Sequence, residues 1–208
     1  MGEETSRLRQ GIDDVPVRDA STLILVRDAS EAPSILMGQR GQNAAFMADK
    51  FVFPGGAVDP ADGEHDLSLS PICLERLRHA SERSADALIA AALRELFEET
   101  GQKLDSASAS IAFFFRAITP PGRPRRFDAR FFLASADALL TDPDQFYPED
   151  AELSHLQWVP LPKVRQLNLP FITRIVLAEL EAHLPRLDPP NRLAFIQNDD
   201  RERGAVWL

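Results

Sequence analysis

One segment of the chain, residues 84–100, carries a helical pattern with an acidic side. Ser84 has an N-cap side chain, and Gly101 stands where a left-handed residue commonly ends a helix. At about 100° per residue, the apolar residues form one stripe, which contains Ile89, Leu93, Leu96 and Phe97. The opposite side gathers the carboxylates of Glu95, Glu98 and Glu99. We therefore expect a helix with one face on a core and an acidic face opposite.

The clustered carboxylates repel one another. A like-charge pair at spacing i,i+3 or i,i+4 destabilises an isolated helix by about 0.2–0.5 kcal/mol, so a cation should offset the repulsion. A divalent cation does so naturally because hard cations bind carboxylate oxygens. Arg94 could orient one carboxylate through a bidentate contact. The alternative is a solvated acidic face, which predicts that a divalent metal leaves thermal stability unchanged.

Charge and hydropathy exclude several other classes of protein. The formal net charge of −9 argues against nucleic-acid binding, which needs a basic surface. A metal ion can still bridge an acidic protein and a phosphate ligand. No run of roughly 18 apolar residues occurs, so we expect no membrane span. Met1–Asp14 lacks the apolar stretch of a secretory signal, and Cys73 is the only cysteine, so we expect a cytoplasmic protein without an internal disulfide.

The rest of the chain mixes strands and helices without strict alternation, which favours an α+β fold. The segments 21–27 and 34–40 are predicted to form an antiparallel hairpin. Further strands are predicted at 111–119, 127–134 and 156–159, and further helices at 71–83, 161–167 and 170–183. Residues 1–15 are predicted to be a mobile arm, and residues 16–208 to form a single domain whose tail from Pro185 is proline-rich and then polar.

Two motifs resemble a known family. Arg94–Gly101 (RELFEETG) resembles the C-terminal half of the Nudix box, G-x5-E-x7-R-E-U-x-E-E-x-G-U, and Phe53–Gly56 (FPGG) resembles its start. Five specified residues at this spacing recur by chance in roughly one of 10⁴ chains of this size. The resemblance implies an α/β/α sandwich around a mixed β-sheet, with the box as a loop–helix–loop. It also implies Mg²⁺- or Mn²⁺-dependent attack of water on a nucleoside diphosphate linked to another moiety.

The resemblance assigns roles within the box. Glu95, Glu98 and Glu99 match the metal-binding glutamates, of which Glu98 and Glu99 are also candidate catalytic residues. Arg94 matches the arginine that orients them. Gly56 matches the first glycine, whose neighbourhood supplies a backbone carbonyl to the metal.

The first half of the box departs from the pattern. Regular spacing would put its glutamate at position 62 and its arginine at position 70, but the arginine is Arg94, so roughly 24 residues are inserted, at about 60–83. Asp59, Asp62 and Glu64 are open alternatives for the missing glutamate. The insert could be a lid, a homodimer contact or a specificity element, or a neutral insertion, because a surface loop absorbs length at small entropic cost.

The insert and two later segments resemble a branch of the family in which some members act on coenzyme A or its acyl esters. The later segments are Thr119–Leu133, with its TP, RFD and FFL stretches, and Glu152–Trp158. Arg40 could match the first arginine of the coenzyme A signature. Ala44 and Ala45 stand near its second arginine, and Asp49 replaces its glycine.

Further candidate site residues lie outside the box. A catalytic base from a later loop is expected in many relatives, and Glu152 is the candidate, with Glu149 and Asp150 as alternatives. Arg40, Arg126 and Phe127 are candidate substrate-binding residues, because arginine suits phosphate and phenylalanine can stack on a base.

The leading hypothesis is thus a metal-dependent hydrolase of a small diphosphate compound. The second is a non-catalytic module that binds a nucleotide and regulates a partner. Such modules usually lose the helix glutamates, and all three remain in this chain.

Overall fold

The computed structural model describes residues 15–42, 47–63, 69–105, 109–150, 152–198 and 203–208. The predicted arm, apart from Val15, lies outside these residues, as do Ala44, Ala45 and Glu64. The described residues form nine strands: β1 (Val17–Arg27), β2 (Ser34–Arg40), β3 (Phe51–Val52), β4 (Gly55–Ala57), β5 (Ala112–Ile118), β6 (Arg126–Ser135), β7 (Leu153–Pro160), β8 (Ala194–Asn198) and β9 (Arg203–Trp207). Their helices are α1 (Pro71–Arg78), α2 (Ala85–Thr100), α3 (Leu161–Val164) and α4 (Phe171–His183).

The strands join one mixed sheet in the order β3-β2-β1-β6-β5-β8-β9, with β4 on β1 and β7 on β2. β1 pairs in parallel with β6 and antiparallel with β2, where Val26 lies opposite Ile35, so the predicted hairpin is confirmed. β1 pairs with β4 at Ser21 and Gly56, whereas β2 pairs along its whole length with β7. The first two strands therefore diverge, and α2 packs where they separate.

Successive side chains of β1 point to opposite faces of the sheet and pack into two hydrophobic cores. Leu23 and Leu25 pack on the face covered by α1 and α2, whereas Ile24 and Val26 pack on the face covered by α3 and α4. All four are at most 1% exposed, as expected for a strand buried on both faces. Helices on both sides of a mixed sheet confirm the predicted α/β/α sandwich. Among the described residues, no helix is both long and apolar enough to cross a membrane.

Helix α2 begins and ends as predicted. The Ser84 Oγ accepts from the Ala87 amide at 3.1 Å, and Gly101 is left-handed with φ 75°. The expected division into an apolar and an acidic face is wrong in part. Leu88 and Ala91, on the carboxylate side, are completely buried, whereas Leu93 and Phe97 are half-exposed. The reason is that α2 turns its carboxylate stripe partly towards the sheet, where β4 passes beside its C-terminal half.

The insert is anchored to the sheet through buried charges. Its helix α1 is shorter than predicted, because it ends at Arg78 instead of position 83. Arg116 on β5 pairs with Asp128 of the RFD stretch on β6, through bonds of 2.9 and 2.6 Å. The same guanidinium donates to the carbonyls of His79 and Ala80, at 2.6 and 2.9 Å. The segment after α1 is thereby tied to the strands beneath it.

The C-terminal part of the chain corrects two expectations. The tail beyond Pro185, in which no strand was predicted, contains β8 and β9, and these strands extend the sheet beside β5. The apolar run Leu193–Ile196 was the available signal. The helix predicted over 161–167 ends at Val164, and its last residues form a turn.

Candidate active site

Strand β4 brings two glycines against the end of α2. The Gly55 amide donates to Glu99 Oε2 at 2.8 Å. A Cβ at Gly56 would lie 2.3 Å from Glu95 Oε1, so the carboxylate fills the space that a side chain would take. Only glycine permits this close approach of strand and helix. The carboxylates of Glu95 and Glu99 therefore face the backbone of the FPGG motif.

Arg94 organises the carboxylates around it. Its Nη1 donates to Glu95 Oε1 and to Glu98 Oε2, both at 2.9 Å. Its Nε and Nη2 form a bidentate pair with Asp62 at 2.8 and 3.0 Å, and Nη2 also donates to the Ala57 carbonyl at 3.0 Å. The bonds to Asp62 are the largest factor that raises the pKa of the Arg94 guanidinium. The guanidinium thus fixes the loop after β4 and orients two glutamates.

The contact with Arg94 distinguishes Asp62 from Asp59, the two described candidates for the missing acidic residue. Asp62 is almost buried and sits at the position that regular box spacing specifies. Asp59 is exposed and accepts from the Ala61 amide in its own loop. Glu64 lies outside the described residues. The described contacts thus favour Asp62 over Asp59, and they link the loop after β4 to Arg94.

Burial makes the carboxylates electrostatically costly. The Glu99 residue is 1% exposed, and burial raises the pKa of its carboxyl to about 8, although the Gly55 N–H bond opposes the rise. Burial likewise raises the pKa of Glu95, against the stabilising contact with Arg94. Glu98 is more open, with 34% of its side chain exposed. Negative charge at this site is therefore held at a cost that a bound cation would relieve.

A second group of charges faces the cluster from β2 and β7. Arg40 Nη2 donates to Glu152 Oε2 at 3.2 Å, and 18% of the Arg40 side chain is exposed. The negative charge of Glu152 raises the pKa of Glu95. The pKa of Glu99 is raised by the charge of Asp150 and lowered by that of Arg40. The structure therefore brings Arg40 and two of the three candidate bases to the box carboxylates, across the gap between the diverging strands.

Two predicted substrate-binding residues lie elsewhere. Arg126 begins β6 opposite Val17, four positions before Arg130, which lies opposite Ser21 beside Gly56. That offset corresponds to about 13 Å along the strand. Arg126 is 2% exposed and donates to the carbonyls of Thr119 and Asn198, both at 3.2 Å. The structure does not bring Arg126 or its neighbour Phe127 to the carboxylates, because this guanidinium secures strand ends.

Comparison with known proteins identifies the fold and motifs. A family model described as NUDIX domain matches residues 17–180. The chain belongs to the Nudix family. It is similar to nudix hydrolase 7 of Caenorhabditis elegans, at 26% identity over 175 residues, which covers 68% of this chain and 51% of that protein. The chain spans about half the length of that curated relative and a smaller share of another.

Solved Nudix structures share the fold at low identity. A NUDIX hydrolase from Alicyclobacillus acidocaldarius matches with TM-score 0.61 and 23% identity, over 84% of this chain and 98% of that one. The NUDIX domain of Shewanella oneidensis NrtR, complexed with ADP ribose, matches with TM-score 0.55 and 15% identity, over 81% and 88% of the two chains. These likenesses show that this Nudix chain has the family fold.

The Nudix carboxylates fit a divalent cation in chemistry. Their oxygen donors are the type that Mg²⁺ and Mn²⁺ take. Glu99 is buried, and Glu95 is partly buried against Gly56. Within the described residues, no three acidic, His or Cys side chains already converge on one point. Arg94 bridges Glu95 and Glu98 with its positive charge, while Glu99 turns to Gly55. Metal binding would thus require the side chains of this Nudix box to rearrange locally.

Sequence reasoning missed one residue of the Nudix box that the structure makes conspicuous. Gln102 occupies the last position of the pattern, where an apolar residue is specified, and it is completely buried. Its side chain bonds to the loop before β7. The signal was available as a mismatch, because a buried amide must find hydrogen-bond partners.

Gly56→Ala should impair catalysis at the Nudix site without destabilising the fold. The added methyl group would displace the Glu95 carboxylate, the flexible end of a side chain, and would not strike backbone. We expect roughly a hundredfold loss of turnover, since displacement of about 1 Å in a catalytic site can cost that much. The melting temperature should stay at the wild-type value. Steady-state kinetics and calorimetry test this, and an unchanged turnover would contradict the close approach of Gly56 and Glu95.

Proposed function

We propose that this Nudix protein is a Mg²⁺- or Mn²⁺-dependent hydrolase that cleaves the phosphoanhydride bond of a nucleoside diphosphate linked to another moiety. The observation that supports it most is the position of Glu99, which is buried, and of Glu95, which is partly buried, beside the FPGG glycines, with Glu98 more open. A helix face that only met solvent would not bury two carboxylates at raised pKa. Three helix carboxylates and the backbone near Gly56 would hold the cation. A bound divalent cation neutralises phosphate charge and lowers the pKa of its water.

The chain's own residues divide the remaining work. Arg94 holds Glu95 and Glu98 in place through Nη1. Arg40 presents a guanidinium across the gap, and its fork suits a diphosphate oxygen pair. In the reaction, the water oxygen bonds to phosphorus, the bridging P–O bond breaks, and the displaced phosphate group leaves as an anion. Glu152 and Asp150 are the candidates to take the water's proton, because their charges influence Glu95 and Glu99 respectively.

Two substrate classes have separate support. The NrtR domain that shares this fold is complexed with ADP ribose. For coenzyme A, Arg40 is the residue that could match the first arginine of the signature, and its charge acts on Glu99. In addition, Asp49 stands in place of the glycine of that signature and has φ 58°, in the left-handed region that glycine adopts readily. These two residues support coenzyme A or its esters as the substrate class.

A substrate screen with Mg²⁺ and Mn²⁺ tests the proposal. We expect one diphosphate compound to yield two phosphorylated fragments of defined mass, from a panel of ADP-ribose, coenzyme A and its esters, dinucleoside polyphosphates, nucleotide sugars, NADH and nucleoside triphosphates. Hydrolysis should stop when EDTA removes the metal. Tight binding of a nucleotide without cleavage under any metal would instead favour the non-catalytic module.

Metal binding can be tested without a substrate. Mn²⁺ should raise the melting temperature, because a ligand that binds only the folded chain stabilises it by mass action, by about 2.7 kcal/mol at a hundredfold excess over Kd. The variant Glu98→Gln should reduce this rise, whereas Glu75→Gln, in an exposed position on α1, should not. An absence of stabilisation in the wild type would support a solvated acidic helix.

A further inference from the structure

The loop at residues 139–150 connects the sheet to β7 and passes along the C-terminal end of α2. Its amides at Tyr147 and Glu149 donate to the carbonyls of Thr100 and Glu98, at 3.1 and 2.8 Å. The last carbonyls of a helix have no partner within it, so this loop supplies donors that α2 needs. The loop and the helix that carries the box glutamates are therefore joined as one unit.

Gln102 is the strongest side-chain link in this unit. It is completely buried, and its Nε2 donates to the carbonyls of Asp142 and Gln145, at 3.1 and 2.7 Å. Its Oε1 accepts from Thr141 Oγ1 at 2.6 Å. Thus the amide nitrogen and the amide oxygen of Gln102 both form hydrogen bonds to one loop. An apolar residue, which the box pattern specifies here, could fill the space but make none of these bonds.

Trp158 on β7 supports the same loop from its other side. The indole Nε1 donates to the Pro143 carbonyl at 2.8 Å. Arg27 lies over the indole ring at 4.8 Å and donates to Asp144 Oδ1 at 2.6 Å. The loop is thus held between the box helix and β7, the strand that begins directly after Glu152.

The end of the loop places acidic residues at the active site. The Asp150 amide donates to the Glu98 carbonyl at 3.2 Å, and Asp150 Oδ1 accepts from the Glu152 amide at 3.0 Å. The negative charge of Asp150 raises the pKa of Glu99, and that of Glu152 raises the pKa of Glu95. Both are candidate bases, and their positions depend on the path of the loop.

We propose that Gln102 is a positioning residue for hydrolysis: by fastening the 139–150 loop to the end of α2, it holds Asp150 and Glu152 against the box carboxylates. This inference rests on the proposed hydrolase function. Gln102 touches no reacting atom in this scheme. It sets the distance between the group that accepts the water's proton and the glutamates that hold the cation, so its loss should reduce the chemical step more than substrate binding.

Gln102→Leu tests the proposal, because it restores the apolar residue of the box pattern and removes all three bonds. We expect kcat to fall roughly a hundredfold, with KM and Mn²⁺ affinity within about threefold of wild type, since misplacing a general base costs about that factor. Amide hydrogen exchange should accelerate over residues 141–150. Thr141→Val removes the hydroxyl that donates to Gln102 Oε1 and accepts from the Lys103 amide at 3.2 Å, while the two bonds from Gln102 Nε2 remain. We expect this milder variant to stay folded if Gln102→Leu does not, with roughly a tenfold loss of kcat.

Leu180→Ala is the matched control, because Leu180 is completely buried on the opposite face of the sheet and lowers stability without contacting the loop. Its kcat at 20 °C should stay at the wild-type level. Faster exchange over 141–150 in Gln102→Leu with wild-type kcat would overturn the positioning role, as would an equal loss in Leu180→Ala. If the wild type hydrolyses nothing, the proposed function fails and this inference with it. An active wild type with an unaffected Gln102→Leu defeats the inference alone.

Discussion

Glu99→Gln should reduce hydrolysis roughly a thousandfold while the protein remains folded, because metal-assisted catalysis depends on several kcal/mol of charge stabilisation and about 1.4 kcal/mol corresponds to a tenfold rate. Glu99 is buried and its carboxylate accepts the Gly55 amide at 2.8 Å. The oxygen of a glutamine amide can accept the same bond, so the fold loses little. What the substitution removes is the negative charge that a divalent cation needs.

Steady-state kinetics with saturating Mn²⁺ measures the effect, and circular dichroism confirms the fold. Glu75→Gln is the control, since it makes the same chemical change on a helix surface away from the cluster. A Glu99→Gln enzyme with more than about a tenth of wild-type turnover would show that Glu99 does not hold the cation, and the role would pass to Glu95 and Glu98.

Without metal, the wild-type protein should lose stability as the pH rises, and Glu99→Gln should lose less. Burial raises the pKa of Glu99 from 4.5 to about 8. The folded chain therefore binds a proton at Glu99 that the unfolded chain releases near its lower pKa. This stability is fully present below about pH 4.5 and lost as the pH rises through about 8. A tenfold change in proton affinity corresponds to about 1.4 kcal/mol, so the whole loss amounts to several kcal/mol.

Urea unfolding in EDTA at pH 5, 7 and 9 measures this dependence. Glu95 contributes in the same direction, because burial raises its pKa too, so the Glu99→Gln curve should flatten without becoming level. Saturating Mn²⁺ should restore stability at pH 9, since a cation binds the ionised carboxylates of the folded chain. Parallel curves for the two proteins from pH 5 to 9 would contradict the raised pKa of Glu99.

Local sequence signals were sufficient where chain neighbours determine the structure. The N-cap Ser84, the left-handed Gly101 and the helix between them could be predicted because caps act within one turn. The strands β1 and β2 followed from their apolar runs. The buried side of α2 could not be predicted in full, since its carboxylate stripe also faces the sheet, and no periodicity reports which neighbour covers which side.

Predictions for individual site residues likewise failed where distant parts of the chain determine the contacts. Arg126 was predicted to bind phosphate because of its positive charge, but its guanidinium is buried against two carbonyls. One belongs to Thr119, across the turn between β5 and β6, and the other to Asn198, 72 positions along the chain. Asp62 was one of three equal candidates until Arg94 was seen to bind it. Gln102 was overlooked because its partners, 39 to 43 positions further along, are invisible to a motif.

The amino-acid sequence by itself determined the family, the acidic helix and the glycines that approach it, because these depend on residue types at short, fixed spacing. Tertiary structure alone decided how much of each carboxylate is buried, which acidic residue Arg94 binds, and which loop faces the cluster. Burial, dielectric environment and long-range hydrogen bonds arise only when distant segments pack together, and they give these glutamates their raised pKa.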